Sequence, residues 1–201
     1  MGNIAKQFDI QIIYYIVGDG PFKNYIKQNI VKNKNIDVVF YGAIQHEKLD
    51  NFLDENVDVL TAMGTSVLEG AKLHIPTILI DGAYGPIKGD YVYRMLSTTR
   101  DYDLGHIITK SDMAPGNKSL QEIVVKIIQN YDSVAEESYQ YYIKNHTIES
   151  VVDKFLSFVT QTKLTYNMID KAYFKKSWAI WLHDALHPLY EKIIGRKHHN
   201  N

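Results

Sequence analysis

Short runs of β-branched and aromatic residues alternate with amphipathic stretches over the first part of the chain. Residues 10–17 (Ile-Gln-Ile-Ile-Tyr-Tyr-Ile-Val) form a continuous run suited to a strand buried on both faces. The run stops at Gly18-Asp19-Gly20-Pro21, and residues 22–34 then bring Phe22, Tyr25, Ile26, Asn29 and Ile30 near one helical face. Residues 37–41 predict a second strand closed by Gly42, and residues 46–55 a helix with Leu49, Phe52 and Leu53 at helical spacing. A third strand is predicted over 57–61, a short helix over 66–73 and a fourth strand over 76–80. Strands separated by short helices imply parallel β-α-β units with right-handed crossovers.

The pattern weakens over residues 82–116, where Gly82, Gly85, Pro86, Gly89, Gly105 and Pro115 mark loops, with one more strand predicted over 106–109. Residues 119–161 read as helix, broken near Asn145-His146-Thr147. The expected fold class is α/β: a Rossmann-like, doubly wound parallel sheet with helices on both faces, plus a helical C-terminal extension. The domain would span 1–161 and the extension 162–201. In such a sheet the ligand crevice lies at the carboxyl ends of the strands. Gly18, Gly42, Gly64 and Asp81-Gly82 all follow strands and converge on that edge.

Composition narrows the classes. With 201 residues and 45% hydrophobic content, the chain has enough apolar material for a core without disulfides or metal. Twenty-two Lys and Arg against 23 Asp and Glu give a net charge of -1, which argues against a general electrostatic grip on nucleic acid. The absence of cysteine excludes disulfides, thiolate metal sites and a cysteine nucleophile. No apolar run approaches the roughly 20 residues that span a bilayer. The opening MGNIAKQFDI has no long apolar stretch, and Lys6 stands where myristoylation wants Ser or Thr. The expected location is cytoplasmic.

Two turns carry candidate chemistry. Glycines in Val17-Gly18-Asp19-Gly20-Pro21 let a ligand approach the backbone, and the next helix opens with free N–H groups. The turn is not a dinucleotide fingerprint, since Lys23 occupies the third glycine position, and the P-loop spacing is absent. A tight strand-to-helix turn is the plain alternative. In Met63-Gly64-Thr65-Ser66-Val67-Leu68-Glu69-Gly70, the Gly64, Thr65 and Ser66 amides form a helix N-terminus suited to a diphosphate. Glu69, one turn further, can accept two ribose hydroxyls. The same spacing also fits a capping box from Ser66 to Glu69.

Other polar groups are less directed. The eight histidines form no H-E-x-x-H, so no metal is expected, and the His183–His187 pair reads as a polar helix face. No G-x-S-x-G elbow is present. Asp81, Tyr84, Asp90 and Tyr91 lie after the fourth strand, where a loop can touch a sugar or simply connect elements.

Together, Val17-Gly18-Asp19-Gly20-Pro21, the strand ending in Tyr41-Gly42, Val57-Asp58-Val59-Leu60 and Thr65–Asp81 resemble the carboxyl-terminal domain of GT-B glycosyltransferases of the family-4-like group. The resemblance covers roughly residues 5–160. It implies transfer of a hexosyl group from a nucleotide-diphosphate sugar, in surface polysaccharide or glycoconjugate assembly, with no separate cofactor. Glu69 would hold the donor ribose, Gly64, Thr65 and Ser66 the phosphates or sugar, Gly42 to Ile44 the base, and Gly18 would border the cleft. His74 stands where the family has glycine in E-G/A-x-x-x-G-x-P, and Thr61 stands where it has a second glutamate. The family's first strand, its Arg–Lys pair and its acceptor domain have no counterpart here. Lys23, Lys72, Lys88 and Arg94 are the candidate substitutes for that pair, and the catalytic residues are unassigned.

Two alternatives remain: a non-catalytic partner-binding domain of a split transferase, and a nucleotide-sugar epimerase-like protein. An acceptor-binding domain or subunit is an expected partner. Residues 172–182 combine Lys175 and Lys176 with Phe174, Trp178 and Trp181, which suits either peripheral contact with an anionic inner membrane face or helix packing.

Overall fold

The computed structural model describes residues 2–85, 87, 91–100, 102–113, 119–168 and 186. The 172–182 segment, His183, His187, Lys88 and Asp90 lie outside the described residues. The elements are α1 (Gly2–Gln7), β1 (Ile12–Val17), α2 (Lys23–Asn29), β2 (Ile36–Gly42), α3 (His46–Asn56) and β3 (Leu60–Ala62). They continue as α4 (Ser66–Ala71), β4 (Thr77–Leu79), β5 (Arg94–Met95), α5 (Ser119–Gln129), α6 (Tyr131–Asn145) and α7 (Ile148–Gln161). One compact unit spans Met1–Asp153 and a second Lys154–Asn201, so the division falls inside α7. In the second unit α7 ends with Thr162 N bonding Phe158 O at 3.0 Å, and a single 3-10 turn follows at Tyr166–Met168.

The first unit is mixed α/β. β1 pairs with β2 in parallel from Ile12↔Ile36 to Val17↔Gly42. β3 pairs with β4 in parallel, and β5 joins β4 antiparallel. The strands thus divide into a two-stranded sheet, β1-β2, and a three-stranded sheet, β3-β4-β5. The expected strand over 106–109 is a single parallel bridge between Ile107 and Gly82, flanked by two 2.8 Å bonds. The long helical stretch breaks at Asn130 as well as after Asn145.

β4 is the most enclosed strand, with both edges paired and both faces covered. Ile78 turns to Ile4, Met95, Val124, Ile127 and Val134, which fixes α1, β5, α5 and α6 against that face. Leu79, pointing the other way by strand alternation, packs with Val67, Ala71 and Leu96. α1 carries no clear periodic pattern of its own; burial of Ile4 and Ala5 holds it. β1 departs from expectation, because it is not buried on both faces: Ile13 is 53% exposed, Tyr14 and Val17 are exposed too, and Ile12, Tyr15 and Ile16 are half-buried. Among the described residues only one of its edges is paired, with β2.

α4 crosses β3 and β4 closely because Gly70 has no side chain. A Cβ there would lie 2.7 Å from Leu60 Cδ2 and 3.0 Å from Thr77 Oγ1. The helix stops in a Schellman arrangement: Ile75 N bonds Gly70 O at 3.0 Å and His74 N bonds Ala71 O at 3.3 Å. His74 takes the left-handed position, φ 55°, and stacks on Tyr139 with centroids 3.8 Å apart. Gly70→Ala should therefore cost about 2 kcal/mol through overpacking. His74→Gly should stay within about 1 kcal/mol of the parent, trading relieved strain for the lost stack. Urea unfolding of the two variants measures both.

Candidate functional site

The predicted edge is partly assembled. Gly18 N bonds Gly42 O at 2.8 Å, so the turns after β1 and β2 meet. Ile44 points into the cluster of Phe52, Leu53 and Ile75 beneath α3. At the start of α2, Lys23 Nζ sits 2.9 Å from Asp19 Oδ1 and lowers the pKa of that exposed carboxyl.

The turn after β3 is better defined. Gly64 adopts φ 64°, a left-handed conformation that turns the chain from β3 into α4. Its amide bonds Leu104 O at 2.7 Å, so it is already committed. Thr65 and Ser66 are exposed, and among the described residues their amides have no hydrogen-bond partner. The Ser66–Glu69 capping box does not form: Thr65 is the N-cap, no side chain caps the helix, and Ser66 is already helical. Glu69 is instead held from the other side. Lys72 Nζ lies 2.7 Å from Glu69 Oε2 and 2.8 Å from Asp50 Oδ1, joining α4 to α3. Burial would lower the Lys72 pKa, but these two carboxylates outweigh it and raise it.

The densest polar arrangement surrounds Asp81, just past β4, and of its members Asp81, Tyr91 and Arg94 stood out in the sequence. Asp81 is 4% exposed. Its Oδ2 accepts from the Tyr91 hydroxyl at 2.5 Å, and its Oδ1 from the His106 amide at 2.9 Å. Arg94 Nη2 donates to both oxygens at 2.7 and 2.9 Å, while Nη1 pairs with Asp103. Burial pushes the Asp81 carboxyl up, yet the bonds from Tyr91, His106 and Arg94 prevail and hold it below its ordinary value. Tyr91 is pushed well up by burial and by Asp81. Asp103 is depressed in the same way, with Arg94 and the Gly105 amide overcoming its burial.

His106 extends the network. Its Nδ1 lies 3.1 Å from Arg94 Nη2, which can only donate, so Nδ1 accepts and the ring proton sits on Nε2. Nε2 faces Asp112 Oδ1 at 3.3 Å. Asp81, Asp103 and His106 bring ligand atoms within 4.8 Å of one another, a spacing that could hold a metal ion. Arg94 already bonds both carboxylates and reaches the imidazole, so the cation these groups hold is its guanidinium.

This network seats residues 103–106 on the Gly64 turn. A Cβ on Gly105 would lie 2.8 Å from Met63 Cγ. Beside it, Ala83, Tyr84, Ile87, Ile107 and Ile108 line an open cavity of about 500 Å³. Three of the candidate basic residues are engaged: Lys23 with Asp19, Lys72 with Asp50 and Glu69, and Arg94 with Asp81 and Asp103. Thr61 lies in β3 with its side chain half-buried. Among the described residues no helix is long and apolar enough to cross a membrane.

Asp81→Asn would remove one of the two carboxylates that compensate a half-buried arginine, at a cost of about 2 kcal/mol. The folded-state pKa values of Asp81 and Asp103 lie below their unfolded ones. Their stabilisation is therefore complete above about pH 4 and is lost as pH falls through the folded values. Urea midpoints measured from pH 7 to pH 2 should fall steeply below about pH 4 in the parent and less steeply in Asp81→Asn. Comparison with known proteins finds no matching family model, no matching curated protein and no matching solved structure.

Proposed function

We propose that this chain is the donor-binding half of a GT-B glycosyltransferase, taking a nucleotide-diphosphate sugar at the carboxyl edge of β3. The reading rests chiefly on the Gly64–Ser66 turn. There, two exposed amides without partners among the described residues stand one helical turn from Glu69, at the end of a parallel strand. In this assignment the Thr65 and Ser66 N–H groups and hydroxyls meet the diphosphate, where backbone donors favour anions. Glu69 Oε1 accepts from the ribose while Lys72 fixes Oε2. The meeting of Gly18 with Gly42 supports a base-proximal wall, but Ile44 serves α3 packing and lines it only indirectly.

One local feature lends the reading support. The family's glycine position is the left-handed end of α4, and His74 occupies it with φ 55°. The doubly wound sheet belongs to the same proposal: β2-β1 and β3-β4 are its two parallel flanks. Hexosyl transfer then needs an acceptor wall within near-attack distance of the anomeric carbon. It also needs charge stabilisation at the departing diphosphate. Among the described candidates, Lys23, Lys72 and Arg94 are tied into ion pairs, which leaves the Thr65 and Ser66 donors to face the diphosphate.

Calorimetric titration with uridine and guanosine diphosphate sugars tests the assignment. Weak binding is expected, and Glu69→Ala should reduce affinity at least about tenfold, or roughly 1.4 kcal/mol. Absence of binding by every donor, or unchanged affinity in a folded Glu69→Ala variant, overturns it.

A further inference from the structure

The part of α7 that lies in the second compact unit carries an apolar stripe that is uncovered among the described residues. Phe155 and Phe158 are 63% and 73% exposed, and Leu156 and Val159 are exposed beside them. The polar positions of the same stretch satisfy themselves within the helix. Thr160 Oγ1 donates to Leu156 O at 3.0 Å, and Gln161 Nε2 donates to Ser157 Oγ at 2.9 Å. The apolar side is the one that wants a partner, because aromatic and aliphatic surface of this extent is unfavourable in water.

A matching segment follows in the same chain. α7 ends at Gln161, Leu164 N bonds Thr162 Oγ1 at 3.2 Å, and the turn at Tyr166–Met168 is closed by Met168 N on Thr165 O at 2.9 Å. A connection over 162–168 has the length usual between helices packed antiparallel. From Lys163 to His187 the sequence has no Gly or Pro, and Phe174, Trp178, Trp181, Leu182 and Ala185 recur at helical spacing. At that spacing Lys176 and His183 fall on the other side. Stripe and segment both belong to the one compact unit Lys154–Asn201.

We propose that the segment 171–185 returns antiparallel along α7 and covers the Phe155–Val159 stripe, with Trp178 and Trp181 as its anchors. Tethering selects this occupant over a second copy or an outside partner. A segment joined through so short a connection is present at an effective concentration in the millimolar range, far above that of a molecule arriving from solution. The two apolar sides then bury one another, as in other helical hairpins, and the Lys176 side stays in water. The aromatic residues of 172–182 thereby serve packing rather than a membrane surface. The inference concerns the carboxyl-terminal unit alone and stands apart from the nucleotide-sugar reading.

Tryptophan fluorescence of the full chain tests the proposal, because Trp178 and Trp181 are the only two tryptophans in the sequence. The parent should emit to the blue of indole in water, at every protein concentration and without added lipid. Phe155→Asp with Phe158→Asp should shift the emission to the red and open both indoles to acrylamide quenching. Ser157→Asp, on the polar side of the helix, should change neither. Should the aspartate pair lose the circular dichroism of the folded chain, Phe155→Ala with Phe158→Ala removes the same contacts more mildly. Parent emission already at the position of indole in water overturns the proposal. So does a blue shift that depends on protein concentration, which would mark a second copy, or on vesicles of phosphatidylglycerol and phosphatidylcholine, which would mark a membrane. A blue shift that survives in a folded stripe variant overturns it as well, since the indoles would then be covered elsewhere.

Discussion

A carboxylate buried at the end of a short, fully enclosed strand must be compensated, and Asp81 makes that demand just past β4. Three groups meet it, the Tyr91 hydroxyl, the His106 amide and the Arg94 guanidinium, while Asp103 balances the second half of the arginine. They come from two stretches of chain, 91–94 and 103–106. Arg94 lies in β5, so the ion pair helps anchor a two-residue antiparallel strand that carries little pairing of its own. His106 and Asp103 bring residues 103–106 to the sheet edge, where Leu104 takes the Gly64 amide. The position of the candidate phosphate turn thus depends on an ion network that never touches it directly.

That dependence separates two roles that the sequence placed side by side. Asp81 and Tyr91, read as loop residues able to meet a sugar, are occupied by each other and by Arg94. Glu69 is half-buried, with one oxygen held by Lys72 and the other without an assigned partner. A structural carboxylate is surrounded by donors; a binding carboxylate keeps one oxygen available. By that criterion the Gly64–Glu69 segment remains the better place for a ligand, and the Asp81 network is its support.

Much of the local structure was legible. Continuous β-branched runs located β1, β2 and β4, and strand-ending glycines marked Gly18, Gly42 and Gly64, all of which take positive φ. Asn145-His146-Thr147 marked the end of α6. What could not be read depends on partners distant in sequence. β5 is too short to show a period, and α1 is held by the burial of Ile4 and Ala5 rather than by a pattern. The Asp81 network joins positions 81, 91, 94, 103, 106 and 112, which no local motif connects. The Ser66–Glu69 spacing suited a cap, but the helix begins one residue too early for it. His74 looked like a departure from its pattern, yet it accepts the backbone geometry that glycine usually supplies.

The two sheets differ in a way that follows from the same physics. β4 has both edges paired, both faces packed and a charge network fastening the loops at its end, so the β3-β4-β5 body has a complete core of its own. β1 has the composition of an equally central strand but, among the described residues, only one neighbour, and Ile13, Tyr14 and Val17 are exposed. A run such as Ile-Ile-Tyr-Tyr-Ile-Val is costly to leave in water, since each large apolar side chain forgoes about 1.5–3 kcal/mol of burial. Alternation alone cannot explain keeping such residues on both faces of a strand with one free edge, because one solvated face would ordinarily turn polar.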